Sequence, residues 1–262
     1  MKGHPLKDKV PLKESLELVK KFGFISRDIF WEFFCPSGKS ARYEYWSELC
    51  NSKIFSSYGW GSGVPEHLSL SPVGKKLAGQ DAISSTSMTY LSHDEIVMRF
   101  YLEMCRSNSL LRGWSEGELK ADRSLAIKTL GSGIVSKLPD LVFDVRGGDA
   151  YIRCALEVER TRKSTGRYKT MRRAYSQTAK IDLLIFAAAD KKIEAVILNE
   201  LISSSSTSIG REIAFFDIDE FNGQRLGSEF RIAGKETTLK RFFETLELNQ
   251  KEFAEKARKA SA

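Results

Sequence analysis

The chain has 262 residues, a formal net charge of +7 and 42% hydrophobic residues, which is enough material for one large or two smaller cores. No apolar run approaches the ~20 residues needed to cross a bilayer, and the opening MKGHPLKDKVPLKES has no signal-peptide apolar segment, so a soluble, cytoplasmic protein is expected. Cys35, Cys50, Cys105 and Cys154 show no C-x-x-C pairing and read as reduced core thiols, while the basic balance favours a polyanionic partner.

In chain order, Leu12, Leu16, Val19 and Phe22 recur at helical spacing and Gly23 ends that helix. Ser26 is placed to cap a second helix carrying Ile29, Phe30, Phe33 and Phe34. Residues 36–40 read as a turn, and a third helix runs from Ala41 to Leu49. Ile54 to Tyr58, a glycine turn at 59–63 and the segment from Leu68 to Leu77 follow, the glycine turn closing a hairpin. Three short helices and a glycine-turned hairpin make a winged-helix arrangement over residues 1–80, and LSLSPVGKKLAG resembles the closing strand and last helix of winged-helix repressors. The third helix would then enter the major groove, with Lys39, Arg42, Tyr43 and Tyr45 near its start and Lys53, Lys75 and Lys76 over phosphates. Gly38-Lys39-Ser40 lacks the upstream glycine of a nucleotide-binding loop.

Residues 81–90 read as a polar linker. A helix from His93 through Met104 is expected, capped by Ser92 or Asp94, and Ser115 with Glu118 matches a capping box. Lys137 to Tyr175 organises the remainder: a strand entered through Pro139-Asp140, a turn at Gly147-Gly148-Asp149, a strand from Tyr151 to Glu159, then a basic helix. Alternation puts Arg153, Ala155, Glu157 and Glu159 on one face. Paired carboxylates raise each other's pKa unless a cation intervenes. The hairpin brings Asp140 beside Glu157, so hard oxygen ligands for Mg²⁺ or Mn²⁺ converge.

From Arg160 to Arg173 no acid interrupts Arg160, Arg162, Lys163, Arg167, Lys169, Arg172 and Arg173, a block suited to a nucleic-acid backbone. Tyr168, Arg172 and Tyr175 share a helix face by their spacing, offering a phosphate-holding surface with a tyrosine as nucleophile or proton donor. Ile181 to Ala189 reads as a strand buried on both faces. A helix from Lys191 to Ser203, a strand from Ile213 to Ile218 and a helix from Leu239 to Leu246 follow, with a helix-prone tail over 249–262.

The order Pro-Asp, strand, Glu-x-acid, basic helix, buried strand resembles the restriction-endonuclease-like nuclease superfamily, whose pattern is Pro-Asp, a spacer, then Asp or Glu, one residue, and Lys. Within it, His93-Asp94, Trp114 with Glu118, Pro139-Asp140 and Leu156 to Glu159 resemble the replication-relaxation family, which includes MobC-type conjugative relaxases. The resemblance implies an α/β (α+β) fold: an N-terminal winged helix, then a nuclease domain over 91–248 with a central mixed sheet flanked by helices. It further implies Asp140, Glu157 and Glu118 as Mg²⁺ or Mn²⁺ ligands; His93, a lone histidine at a helix start, reads as a cap or core residue or as a catalytic one.

Glu159 stands where the pattern has lysine, leaving Lys163, Lys169 or Arg172 to take over that charge. The implied activity is metal-dependent nicking of double-stranded DNA in relaxase or mobilisation duties, alongside relaxosome proteins. The alternative is a non-catalytic DNA-binding accessory or regulator on a decayed nuclease fold.

Overall fold

A computed structural model describes residues 12–35, 38–58, 67–79, 90–131, 137–147, 150–202, 212–232 and 234–246. The expected glycine turn at 59–63, most of the linker, the tip of the Gly147-Gly148-Asp149 turn and the tail from 249 lie outside the described residues. The chain divides into two compact units, Met1–Glu95 and Ile96–Ala262. No helix among the described residues is long and apolar enough to cross a membrane.

In the first unit, α1 (Leu12–Phe22) turns its apolar stripe inward and stops where Gly23 adopts φ 86°, a conformation that favours glycine. β1 (Ile25–Ser26) leads into α2 (Arg27–Phe33), and the Ser26 hydroxyl accepts from Ile29 N as a cap. α3 (Lys39–Asn51) extends two residues beyond the expected helix at each end. β2 (Phe55–Tyr58) and β3 (His67–Leu70) complete a three-stranded sheet ordered β1-β3-β2, and α4 (Pro72–Ala78) follows. A β-carbon at Gly74 would stand 2.1 Å from the Ile54 carbonyl oxygen, so α4 seats against the hairpin only with glycine there. Two residues are too few for a hydrophobic pattern, so β1 was invisible to sequence reasoning.

In the second unit a seven-stranded mixed sheet, ordered β10-β9-β8-β7-β6-β5-β4, is flanked by helices on both faces. Its strands are β4 (Leu110–Ser115), β5 (Leu141–Gly147), β6 (Ala150–Glu159), β7 (Leu183–Ala188), β8 (Glu212–Asp217), β9 (Glu229–Ile232) and β10 (Lys235–Thr238). β6, β7 and β8 run parallel; the other neighbours pair antiparallel. On one face, α6 (Glu116–Ala121), α7 (Arg123–Leu130), α8 (Thr165–Gln177) and α9 (Lys191–Ile202) bury Leu119, Leu130, Met171 and Ile197 against Val142, Ala155, Leu184 and Phe186. On the other, α5 (Leu91–Arg106), α10 (Ile218–Gln224) and α11 (239–246) supply aromatics that pack with the strands, as where Phe100 meets Phe143 and Phe216. β7, covered on both sides, is buried throughout, as its unbroken apolar run requires.

Several expectations are corrected. α5 begins at Leu91, so Ser92 and Asp94 lie inside its first turn instead of capping it. Ile218 opens α10 and does not end β8. Cys35 and Cys154 are core thiols, but Cys50 is half-buried and Cys105 exposed. β4, β9, β10, α7 and α10 were missed. β4 carries Arg112 and Gly113 at the sheet edge, β10 is short and polar, and the alternation of β9 lasts only four residues, so none stands out as a strand in the sequence.

The β5–β6 register sets Asp144 opposite Arg153. Arg153 grips it with two hydrogen bonds, Nε to Oδ1 at 2.7 Å and Nη2 to Oδ2 at 3.0 Å, and gives Nη1 to the Thr129 carbonyl at 2.8 Å. Arg112 adds a contact to Asp144 Oδ2 at 3.0 Å, and both guanidinium groups lie over the Tyr151 and Trp114 rings. Because Asp144 is wholly buried, Arg153→Met leaves a buried charge short of its main partner, and urea unfolding is expected to show a loss of about 3–5 kcal/mol. Arg112→Ala, truncating a half-exposed side chain, is expected to cost no more than ~1 kcal/mol in the same assay.

Candidate carboxylate and cation site

The hairpin that sets Asp144 against Arg153 also fixes what lies at its other end. Continuing the register past Leu141 and Leu156 brings Asp140 opposite Glu157. Asp140 ties three elements together: its Oδ2 accepts from Val158 N at 2.7 Å, its carbonyl accepts from Glu116 N at the start of α6 at 3.1 Å, and β5 begins at the next residue. The Pro139-Asp140 entry thus anchors the ends of β6 and α6 by hydrogen bonds that a regular strand residue would not make.

The β6 pleat sends Glu157 and Glu159 to the α8 side of the sheet, where neither side chain is exposed. Each meets a lysine. Lys137 Nζ donates to Glu157 Oε2, and Lys163 Nζ, one residue-quartet beyond Glu159, donates to Glu159 Oε1. Tyr175 donates its hydroxyl to the other Glu157 oxygen, Oε1, while the Tyr168 hydroxyl accepts from Lys163 N at 3.3 Å. The second Glu159 oxygen, Oε2, is buried without a hydrogen-bond partner.

Burial is the main force on these groups. It pushes the Glu157 carboxyl up to about 7, with Lys137 opposing and Asp140 adding to the rise. It raises Glu159 against the pull of Lys163, and holds the Tyr175 hydroxyl well above its ordinary range, reinforced by Glu157. For Lys137 burial works against the charged form, but Glu157, Asp140 and Glu159 together outweigh it and raise its pKa.

Among the described residues no three acidic, histidine or cysteine side chains are drawn together as a ready-made metal shell. The expected convergence of bare carboxylates is corrected accordingly: each buried glutamate carries its own lysine partner, because buried like charges must be neutralised. Glu118 keeps its alternative, structural role, its Oε2 accepting from Ser115 N at 2.8 Å and from the Ser115 hydroxyl at 3.2 Å in a complete capping box. The candidate donors are all oxygen, the ligand type that hard divalent cations take, and Glu159 Oε2 has no hydrogen-bond partner.

The tyrosine face of the basic helix is corrected as well. Tyr168 and Tyr175 are fully buried against the sheet, and Arg172 donates Nη1 to the Glu200 carbonyl of α9 at 3.2 Å. What faces solvent is Arg160 and Arg162 in the connection after β6, and Arg167, Lys169 and Arg173 on α8. In the first unit, Arg42 donates Nε to the Cys35 carbonyl at 2.9 Å, and its own carbonyl accepts from Trp31 Nε1 at 3.1 Å, so it braces α2 against α3. Tyr43 is exposed beside Trp31, Tyr45 is half-buried, and Lys39 is the first residue of α3. His93 pairs through Nδ1 with Asp94 at 2.9 Å.

Lys137 is the partner of the buried Glu157 that sequence reasoning passed over. It stands 20 positions before Glu157 in sequence and no periodicity links the two. The only available signal was its place at the head of the Pro-Asp strand.

No family model matches the chain, and no curated protein matches it. Among solved structures it is similar to that of the restriction endonuclease FokI bound to DNA, at 11% sequence identity and a TM-score of 0.27, over 85% of this chain and 45% of that one. The chain thus spans less than half the length of that protein, and a likeness this slight adds nothing to the site's own geometry.

The raised Glu157 carboxyl makes stability depend on pH. Unfolded, the group titrates near 4.5; folded, near 7, so the native state holds the extra proton between those values. Its contribution is complete below about 4.5 and is lost as pH rises through about 7. Lys137→Met removes the opposing charge, so the loss is expected to extend to higher pH, read as a steeper fall in unfolding free energy between neutral and mildly alkaline pH than in wild type.

Proposed function

We propose that this chain is a DNA-binding, metal-dependent DNA-nicking protein of the relaxase or mobile-element type, built from a winged-helix domain and a restriction-endonuclease-like domain. The observation that carries it is the juxtaposition of Asp140 and Glu157 across the β5–β6 hairpin, beside an exposed run of arginine and lysine that opens at the end of the same strand. In the first unit, helices α1, α2 and α3 with a sheet ordered β1-β3-β2 support the winged-helix assignment, with α3 as the groove-reading helix and Tyr43 its exposed aromatic.

In this function Arg160, Arg162, Arg167, Lys169 and Arg173 hold the DNA backbone. Asp140 and Glu157 would hold Mg²⁺ or Mn²⁺, with Glu118, committed to its capping box, the weaker third donor. The cation would supply Lewis acidity at the scissile phosphate and a more acidic bound water. Tyr175, by donating to Glu157 Oε1, fixes the rotamer of that carboxylate. Lys137 and Lys163 bring the positive charge that Glu159 lacks to the same end of the strand. With both α8 tyrosines in the core, a water serves better as nucleophile than either of them.

Supercoiled plasmid incubated with the protein and Mg²⁺ or Mn²⁺ is expected to be converted to open circles by wild type and left intact by Asp140→Ala and Glu157→Gln. Retained DNA binding without any cleavage by wild type would instead favour the non-catalytic accessory. Replacing Arg167, Lys169 and Arg173 together by Ala is expected to flatten the dependence of log affinity on log salt by about 2 to 3 in slope. An unchanged slope would remove α8 from the interface.

A further inference from the structure

The start of β6 carries a second group of chemistry-bearing side chains, which the carboxylate site does not use. Strand register places them on one face: Arg112 lies opposite Asp144, Asp144 opposite Arg153, Arg146 opposite Tyr151, and Trp114 opposite Val142. Residues directly paired across antiparallel strands share a side of the sheet. Tyr151 lies about 20 Å along β6 from Glu157, and Ala155, between them, is covered by the helices. The two groups are therefore separate.

Three guanidinium groups gather here around one buried carboxylate. Asp144 serves two of them, accepting from Arg153 with both oxygens and from Arg112 with Oδ2 at 3.0 Å. Asp182, on the approach to β7, gives its Oδ2 to the Arg153 amide at 2.8 Å. Since Arg153 and Asp144 neutralise each other, Arg112, with its side chain 53% exposed, and the exposed Arg146 leave a surplus of positive charge at the surface. Tyr151 stands beside it, 45% exposed. The Arg112 and Arg153 guanidinium groups each lie 5.1 Å from its ring centroid. Because both touch the same Asp144 oxygen, they cannot sandwich the ring, and part of it stays open to solvent.

An exposed tyrosine ring backed by arginine matches an unpaired base and its phosphate: the ring offers a stacking surface that any base can use, and guanidinium groups grip the phosphate. A duplex shows base edges in its grooves and keeps the base faces stacked, so it can engage the arginines but not the ring. We infer that Arg112, Arg146 and Tyr151 form a second nucleic-acid surface that takes single-stranded DNA, one base stacking on Tyr151 with its flanking phosphates on Arg112 and Arg146. The Arg153–Asp144 pair and Trp114 hold this platform in place. The inference goes beyond the nicking function, which uses the other end of β6 and the basic run that follows it.

The test is fluorescence anisotropy of a labelled oligothymidylate and of a mixed-sequence duplex of the same length, titrated with the full chain. Tyr151→Ala is expected to weaken single-strand binding about tenfold and Tyr151→Phe to stay within about twofold of wild type, both leaving duplex binding within about twofold. Arg112→Gln combined with Arg146→Gln is expected to lower the slope of log affinity on log salt for the single strand by about 1 to 1.5. In wild type, irradiation of an iododeoxyuridine-substituted strand is expected to cross-link it to the peptide bearing Tyr151, a result that depends on no variant's folding. Absence of single-strand binding by wild type, unchanged single-strand binding or an equal loss on duplex in Tyr151→Ala, a loss in Tyr151→Phe as large as in Tyr151→Ala, or cross-links confined to α3 or α8 would each overturn the inference. Plasmid cleavage is read separately: an inactive wild type that still cross-links through Tyr151 removes the nicking function and supports this surface.

Discussion

Burying Glu157 and Glu159 at the end of β6 is the constraint to which the rest of the second unit answers. Two carboxylates taken out of water on one strand face are tolerated only where cations and hydrogen-bond donors replace the lost solvent. Here those partners come from three places: the approach to β5 gives Lys137, the exit from β6 gives Lys163, and α8 gives Tyr175. Packing α8 on the sheet is therefore also what carries the Tyr175 hydroxyl to Glu157, and the register of the hairpin is what carries Asp140.

The same strand has an opposite electrostatic character toward its start. There the cation, Arg153, is buried and fully occupied by Asp144 and the Thr129 carbonyl. The acid and base on that pair satisfy each other, whereas Glu159 keeps one oxygen unpaired. That difference separates a structural ion pair from a candidate site, although both read in sequence as charges at alternate positions of a strand.

Much of the architecture was legible because local chemistry and tertiary packing agree. The Ser26 cap, the Gly23 stop, the capping box of Ser115 and Glu118, and the doubly buried β7 are each written in a few adjacent residues. The edge and terminal strands were not, because β4, β9 and β10 are short and mixed in polarity and owe their extended form to the neighbour they pair with. The basic run was legible as charge but not as geometry. Helical spacing placed Tyr168, Arg172 and Tyr175 together correctly, yet only the sheet beneath them decides that this face is core and that Arg167, Lys169 and Arg173 face solvent.

By itself the sequence determined the Pro-Asp hairpin, the face shared by Glu157 and Glu159 and the uninterrupted positive charge that follows them, because all of these depend on residue type and on a period of two or of three to four. Which cations answer those carboxylates was decided only by the tertiary structure. Lys137 reaches Glu157 across the hairpin, Tyr175 reaches it across the helix–sheet interface, and Glu118 turns back to its own cap. Contacts between residues far apart in the chain are set by how layers pack, and no local pattern encodes them.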